Sequence, residues 1–272
     1  MATPRPITFL SDYGYDDEFA GVCRAVIAGI APEAGVIDLT HGVSRHAIRQ
    51  GATILANALP YAPAGVHLAV VDPGVGSPRR ALAVRVASED RILVGPDNGL
   101  LWPAIERLGG TVEAVDVSLS EFRLEPISAT FHGRDVFAPV AAHLALRAPL
   151  ADAGEEVSAA SLTNLEASEP SIGEGRVVAH VTSVDRFGNA VLDLADRHLV
   201  QTGLRMGSHV GVEVGGHSHD AAFTLTFADV DPGELILYVD SYGSLALAVN
   251  RASAAEMLRL GPDDEVVLRP LA

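Results

Sequence analysis

The chain has 272 residues, of which 48% are hydrophobic and 20% are charged, so it can bury a sizeable core and should not be disordered. Its net charge of −16 argues against a nucleic acid or an anionic membrane as the main partner. The single cysteine, Cys23, allows no intramolecular disulfide, and the sequence has no signal-peptide pattern and no run of about 18 apolar residues. We therefore expect a soluble protein of the cytoplasm.

Apolar strands and amphipathic helices alternate through the first half of the chain. The predicted elements are strands 7–10, 36–40, 65–71, 82–87, 92–95 and 112–117 and helices 18–30, 46–59, 100–108 and 134–146. Its opening β-α-β-α-β series predicts an α/β domain over residues 1–155, with a mostly parallel sheet flanked by helices.

The pattern changes in the second half. Residues 156–174 are rich in Ala, Ser, Glu and Pro without clear periodicity, which predicts a linker. The strands predicted after it are 176–184, 190–194, 209–214, 222–227, 234–240, 245–249 and 265–269, and only 254–260 has a helical pattern. Closely spaced short strands favour a smaller all-β domain over residues 175–272, either an antiparallel barrel or a sandwich.

The sequence VVDPGVGSPRR, residues 70–80, follows the third predicted strand. In open α/β sheets ligands bind beyond the carboxyl ends of strands, and Asp72 lies at such an end. Glycines and prolines predict a stiff turn that brings Arg79 back to Asp72. A tight turn closed by a surface salt bridge explains the same residues equally well.

Three other polar segments follow apolar elements of this domain. They are Asp12 with Asp16 and Asp17, the pair Thr40 and His41, and TFHGRD at residues 130–135. Successive parallel strands end at the same edge of a sheet, so the first two of these segments can converge with Asp72. His132 precedes the helix predicted from Arg134, so its loop can join them. Taken singly, each is explained by a helix cap or a turn.

Two turns of the second domain carry aromatic residues. DRFGN, residues 185–189, joins two strands, and DSYGS, residues 240–244, precedes another. Phe187 and Tyr242 can offer stacking faces to a heterocycle, although hairpin turns and ordinary packing explain both segments too. His217, His219 and Asp220 make only a weak metal motif in a predicted loop, so no metal is expected. Dinucleotide, phosphate-loop and G-x-S-x-G fingerprints are absent from the sequence.

Several motifs together resemble one known family. They are SDYG at 11–14, VVDPGVG at 70–76 with Arg79, GPDNGLL at 95–101, TFHGRD, DRFGN and residues 241–251. They resemble the S-adenosyl-L-methionine (SAM) hydroxide adenosyltransferases, relatives of the fluorinases and chlorinases. The resemblance implies hydrolysis of SAM to adenosine and methionine without a cofactor. It also implies an α/β domain, a C-terminal β-barrel and a homotrimer with active sites between subunits.

The same resemblance assigns residues to the site. Asp72, Arg79 and His132 match the triad that separates the hydrolases from the halogenases. The substrate-binding set would be Asp12 for the ribose hydroxyls, Asp17 and Ser241 for the methionine end, Asn189, Asn250 and Arg251 for the adenine, and Asp185 and Phe187 beside them. Tyr242 stands where halogenases carry an arginine for the methionine carboxylate.

Two alternatives to hydrolysis are a chlorinase-like halogenase and a non-catalytic sensor of an adenosyl ligand. Asp72 stands where halogenases place a tyrosine, and Val75 and Gly133 stand at two further halide-pocket positions. At about 4 Å and an effective dielectric of about 20, a carboxylate repels an anion by about 4 kcal/mol. In-line attack of water on the ribose 5′ carbon is therefore the favoured reaction.

Overall fold

The computed structural model describes residues 3–165, 168–173 and 175–271. It divides into two compact units, Met1–Leu165 and Glu166–Ala272. The division falls inside residues 156–174, the predicted linker, and Leu162 from that stretch is buried in a core of the first unit. No helix in the described part of the chain is long and apolar enough to cross a membrane.

The first unit is an α/β fold. Its strands are β1 (Ile7–Ser11), β2 (Val36–Thr40), β3 (Val66–Val70), β4 (Ala81–Val86), β5 (Ile92–Pro96), β6 (Thr111–Asp116) and β7 (Glu155–Glu156). Its α-helices are α1 (Phe19–Ile30), α2 (Ile48–Ala58), α3 (Trp102–Arg107) and α4 (Ala138–Ala145). A π-helical turn, Gly133–Phe137, leads directly into α4, so the predicted helix 134–146 is observed as two segments.

The strands form one sheet in the order β2-β1-β3-β5-β4-β6-β7. The first four in this order are parallel neighbours, which confirms the predicted mostly parallel sheet. In contrast, β4 runs antiparallel to both β5 and β6. Residues 87–91 between β4 and β5 are too few for a crossover, so this connection can only join antiparallel strands.

Hydrophobic side chains cover both faces of this sheet. Phe9 of β1 and Leu68 of β3 belong to a core cluster that also contains residues of α1 and α4. Leu10 and Ala69, the next residues along these strands, belong to a second cluster with residues of α2 and α3. This alternation is what the pleat of a strand requires, and it confirms helices on both sides.

The second unit is a closed barrel. Its strands are β8 (Ser171–Gly173), β9 (Arg176–Val184), β10 (Ala190–Ala195), β11 (His209–Val214), β12 (His217–Phe223), β13 (Leu235–Val239), β14 (Ser244–Val249) and β15 (Glu265–Pro270). The order β10-β14-β13-β12-β11-β15-β9 closes through the pairing of β9 with β10, and β8 adds to β9 outside the ring. The closed seven-stranded ring confirms the barrel and removes the sandwich alternative.

Some details of the second unit differ from the prediction. A short helix α5, Leu199–Thr202, accompanies α6, Ala254–Leu258, although only the latter was expected. His217 and His219 lie in β12 and not in a loop. The neighbours β12 and β13 are parallel, so the barrel is not wholly antiparallel. The run 222–227 was wrong as a strand, because β12 ends at Phe223 and a short 3₁₀ turn, Phe227–Asp229, follows.

Candidate active site

The candidate site of the first unit begins where β1 and β3 end. Ser11 pairs with Val70 at the ends of these two parallel strands. The next residue after β1 is Asp12, whose backbone N–H donates to the Val70 carbonyl at 3.4 Å. Asp12 and the loop that carries Asp72 therefore leave the sheet side by side, at the edge where ligands bind in such folds.

The loop after β3 is fixed by its backbone. The Val75 N–H donates to the Asp72 carbonyl at 3.3 Å, and Gly76 has φ of +78°. A Cβ atom on Gly76 would lie 2.7 Å from the carbonyl oxygen of Ala129, so both the turn and this close approach require glycine. The turn brings Arg79 back onto Asp72, as the sequence predicted.

Asp72 and Arg79 form a buried ion pair. Arg79 Nε lies 2.9 Å from Asp72 Oδ1 and 3.1 Å from Oδ2, and Arg79 Nη2 also contacts Oδ2. Only 6% of the Asp72 side chain and 10% of the Arg79 side chain are exposed. The guanidinium carbon lies 5.2 Å from the centre of the Phe137 ring. The alternative of a surface salt bridge is therefore wrong.

His132 joins this pair through one hydrogen bond. Arg79 Nη2 donates to His132 Nδ1 at 3.1 Å. Because a guanidinium can only donate, Nδ1 is the acceptor, and the neutral imidazole carries its proton on Nε2. Burial and then the positive charge of Arg79 lower the pKa of His132 below its ordinary 6.5, although Asp72 opposes the shift. At neutral pH His132 is thus an uncharged hydrogen-bond donor.

Asp72 and His132 line a cavity of about 270 Å³ in the first unit, whereas Arg79 contacts both of them but does not line it. The predicted residues that line it are Asp12, Asp17, Asp72, Val75, Thr130, His132 and Gly133. Residues that the sequence did not single out for this site are Tyr13, Phe19, Arg45, His46 and Val70. Asp16, although it is in the same segment as Asp12 and Asp17, does not line this cavity.

Asp12 is held by the loop that precedes α2. Its Oδ2 accepts the backbone N–H of His46 at 2.9 Å, and His46 has φ of +65°, which is uncommon outside glycine. Below it, the buried Ser11 Oγ and His41 Nδ1 share a hydrogen bond of 2.7 Å. His41 therefore supports the start of the Asp12 segment from below and does not line the cavity.

The TFHGRD segment is anchored by Asp135. Asp135 accepts hydrogen bonds from Arg134 Nε at 2.6 Å and from the Ser128 N–H at 2.8 Å. Burial by itself would raise the pKa of Asp135, but these hydrogen bonds outweigh it and lower the pKa. Asp135 is thus a buried anchor that fixes the loop of His132 at the start of the π-helical turn.

The second unit has a larger cavity, of about 610 Å³. It is lined by the predicted residues Asp185, Phe187, Asn189 and Arg251 together with Phe227, Tyr238, Val249 and Ala252. Asp185 Oδ1 accepts the N–H groups of Phe187 and Asn189 at 2.8 and 3.0 Å, and Oδ2 accepts Asn189 Nδ2 at 2.7 Å. Asp185 thereby shapes the turn that leaves the Phe187 ring exposed.

Three predicted residues of the second unit are not brought to this cavity. Asn250 uses its amide inside the unit, donating from Nδ2 to the Val230 carbonyl at 2.8 Å. Ser241 and Tyr242 lie in the turn between β13 and β14, and neither lines the cavity. Their predicted contacts with the adenosyl ligand remain predictions.

Phe227 and Tyr238 are residues that sequence reasoning missed. Tyr238 lies inside β13, where a tyrosine normally signals packing, and Phe227 follows a strand boundary that was misplaced. Their rings pack at 5.1 Å between centres. Burial, followed by the charges of Asp185 and Asp240, raises the pKa of Tyr238 to about 12. Leu235 and Leu237 of β13 belong to the barrel core, so the alternation of side chains along a strand places Tyr238 on the outer face. This alternation was the sequence signal that could have found it.

A metal centre is not assembled in the described ranges. There, no three His, Cys, Asp or Glu side chains form a group that could hold a metal ion. His219 and Asp220 line a separate surface cavity of the barrel, where Asp220 Oδ1 contacts His209 Nδ1 at 2.6 Å.

An α/β unit with an Asp-Arg-His cluster at its sheet edge, followed by a closed barrel, defines a two-domain protein with a candidate ligand cavity on each unit. The family model of the SAM hydroxide adenosyltransferase N-terminal domain matches residues 7–154, and that of the C-terminal domain matches residues 179–267. The chain therefore belongs to the SAM hydroxide adenosyltransferase family.

Curated relatives and solved structures agree with this assignment. A protein of Salinispora tropica named (R)-S-adenosyl-L-methionine hydrolase is 46% identical over 98% of both chains. A protein of that name from Thermus thermophilus is 41% identical, over 94% of this chain and 96% of its own. A fluorinase of Nocardia brasiliensis is 28% identical over 92% of both. The crystal structure of an uncharacterized conserved protein from Thermotoga maritima superposes with a TM-score of 0.90 at 36% identity, over 97% of this chain and 99% of its own.

Proposed function

We propose that the protein hydrolyses SAM to adenosine and L-methionine by in-line attack of water on the ribose 5′ carbon. The Asp72–Arg79–His132 cluster, in which Asp72 and His132 line a cavity together with Asp12 and Asp17, is the observation that carries this proposal. Relatives more than 40% identical over nearly the whole chain are named as hydrolases of this substrate, which supports it independently. Because their name specifies the (R) epimer, we propose the same sulfonium configuration for the substrate here.

Departure of the leaving group requires no acid catalysis. The electron pair of the breaking bond between the 5′ carbon and sulfur stays on sulfur, and methionine leaves as a neutral thioether that requires no proton. On the attacking side, water has a pKa of about 15.7, so a site must accept its proton or stabilise hydroxide. The cluster of Asp72, Arg79 and His132 lies where such help is needed.

The hydrogen bonds of the cluster indicate which residue accepts the proton of the attacking water. Neutral His132 has Nδ1 occupied by an N–H of Arg79 and a proton on Nε2, so it has no lone pair left for a proton of water. Arg79 is permanently charged and cannot accept one either. Asp72 is the remaining acceptor, while Arg79 and the Nε2–H of His132 stabilise the developing hydroxide.

Substrate contacts follow the assignment from the resemblance. We propose that Asp12 binds the ribose hydroxyls, that Asp17 binds the methionine ammonium group, and that the barrel cavity with Phe187 and Asn189 binds the adenine. No separate cofactor enters the reaction. A homotrimer and a cytoplasmic location remain expectations, and light scattering and cell fractionation would test them.

A halide-free assay tests the proposed reaction. Purified protein given SAM in a buffer without halide should release adenosine and methionine in equal amounts, and should consume the (R) epimer in preference to the (S) epimer. In water labelled with ¹⁸O, the label should enter the 5′ hydroxyl of adenosine. A 5′-halogenated nucleoside formed only with added chloride or fluoride would indicate a halogenase, and binding without turnover would indicate a sensor.

The pH dependence of kcat/KM should reflect the protonation of His132. Protonation of His132 would place an N–H on Nδ1 against an N–H of Arg79, so the active state is lost as pH falls through the lowered pKa. We expect kcat/KM to be constant above pH 6.5 and to decline below it, with an acid limb at a pKa under 6.5. The measurement is kcat/KM for SAM as a function of pH.

His132→Asn provides the matched variant for this profile. The asparagine oxygen can accept from Arg79 and its amide can donate, without titrating in this range. The variant should lose the acid limb assigned to His132 while keeping part of the activity. An unchanged limb in this variant, or a limb above pH 6.5 in the wild type, would remove His132 from this role.

A further inference from the structure

Among the described residues that line the cavity of the first unit, Tyr13 is the one with an aromatic hydroxyl. It directly follows Asp12 and lines the cavity together with Asp72, His132 and Gly133. A Cβ atom built on Gly133 would lie 1.9 Å from Tyr13 Oη and 3.0 Å from Cζ. The hydroxyl therefore occupies the space that any side chain at position 133 would take.

Three aromatic neighbours fix the ring that carries this hydroxyl. Phe9 and Phe131 meet the Tyr13 ring edge to face, with centres 6.5 and 5.8 Å away, and Phe19 packs at 5.9 Å. The backbone N–H of Tyr13 donates to Ser11 Oγ at 3.3 Å. With both the ring and the backbone held, the position of Oη is set by the fold and not by a ligand.

The Tyr13 hydroxyl has no hydrogen-bond partner within residues 3–165, 168–173 and 175–271. The hydroxyl of a buried or partly buried tyrosine ordinarily finds a partner. Because Tyr13 lines the cavity, its hydroxyl is available to a molecule bound there. Burial, with the negative charges of Asp12 and Asp72, raises the pKa of Tyr13 well above 10, so the phenol keeps its proton and can donate.

We propose that the Tyr13 hydroxyl is a further catalytic residue that donates a hydrogen bond to the attacking water. This inference rests on the proposed hydrolysis. As one proton of the water passes to Asp72, the developing hydroxide has three lone pairs. One forms the bond to the 5′ carbon, and the other two accept hydrogen bonds from Tyr13 and from Nε2–H of His132. Tyr13 keeps its own proton throughout, and the electron pair of the broken bond stays on sulfur.

Tyr13→Phe tests this role because it removes the hydroxyl and leaves the ring in its aromatic cage. We expect kcat to fall by about 10-fold, as for one ordinary hydrogen bond, to about 10²-fold, as for one oxyanion donor. KM and the calorimetric Kd for SAM should stay at the wild-type values. Tyr61→Phe, which alters an exposed ring outside the cavity, is the matched control and should keep full activity.

A second pair of variants tests the same hydroxyl from the opposite side. Gly133→Ala places a methyl group against Oη and should lower kcat, whereas in a Tyr13→Phe background the same methyl should cost much less. If the wild type hydrolyses SAM and Tyr13→Phe retains its kcat, the role of Tyr13 is wrong while the proposed function stands. A rise in KM with unchanged kcat would also overturn it. A wild type that does not hydrolyse SAM would overturn both.

Discussion

Asp72→Asn is expected to lower kcat for SAM hydrolysis by about 10²- to 10⁴-fold, the usual worth of a general base. The amide matches the carboxylate in shape, but it cannot take a proton from water at neutral pH. Neither Arg79 nor neutral His132 can replace it as the acceptor. Affinity for SAM should change little, since Asp12 and Asp17 are proposed to hold the substrate. Adenosine formation gives kcat, and calorimetry gives Kd.

The control for this experiment is another carboxylate of the same unit. Asp152 is exposed at the end of a short 3₁₀ turn, Leu150–Asp152, and does not line the cavity. Asp152→Asn removes the same charge and should leave kcat unchanged. If Asp72→Asn kept the wild-type kcat, hydroxide would have to be formed without this carboxylate. If it abolished binding instead, Asp72 would be a substrate ligand.

Much of the first unit can be predicted from the sequence because its strands and helices are determined by local sequence patterns. Apolar runs at strand length alternate with amphipathic helices, and parallel strands joined by helices must cover both faces of a sheet. The short connection 87–91 also implies that β4 runs antiparallel to β5. The hydrophobic pattern alone does not predict the direction of a strand.

Closure of the barrel, in contrast, could not be predicted from the sequence. Alternation along β9 and β10 shows which side chains point inward, but the pairings of β10 with β14 and of β9 with β15 join residues that are far apart in the sequence. Neither local propensity nor spacing encodes such partners, so barrel and sandwich remained equal from the residues alone.

The candidate site shows the same limit. Asp72 and Arg79 are seven residues apart and were brought together by turn chemistry alone. His132 is 53 residues beyond Arg79, so the sequence predicts only that its loop can converge with Asp72, and the family resemblance alone joins the three residues in one triad. Tyr13 belongs to the SDYG motif, but nothing local in the sequence reveals its approach to Gly133, which lies in a distant segment.

Removing the charge of Arg79 should affect both the fold and the chemistry. In Arg79→Met the carboxylate of Asp72, whose side chain is 6% exposed, loses its partner in a buried position. Breaking a buried pair in this way costs about 3–5 kcal/mol, whereas exposed pairs contribute about 0–1 kcal/mol. We expect a loss of unfolding free energy in the first range, measured by urea denaturation, and a loss of hydrolysis.

The double variant Asp72→Asn with Arg79→Met separates these two effects. Without a buried charge to leave unpaired, it should recover most of the unfolding free energy that Arg79→Met loses, yet it should remain inactive. Arg123→Ala, which breaks the more exposed pair with Glu125, should stay within about 1 kcal/mol of the wild type and keep its activity. Recovered activity in the double variant would mean that the pair stabilises the fold only. If stability and activity are lost separately, Arg79 has two roles: it compensates the buried carboxylate, and it supplies the positive charge that hydroxide needs.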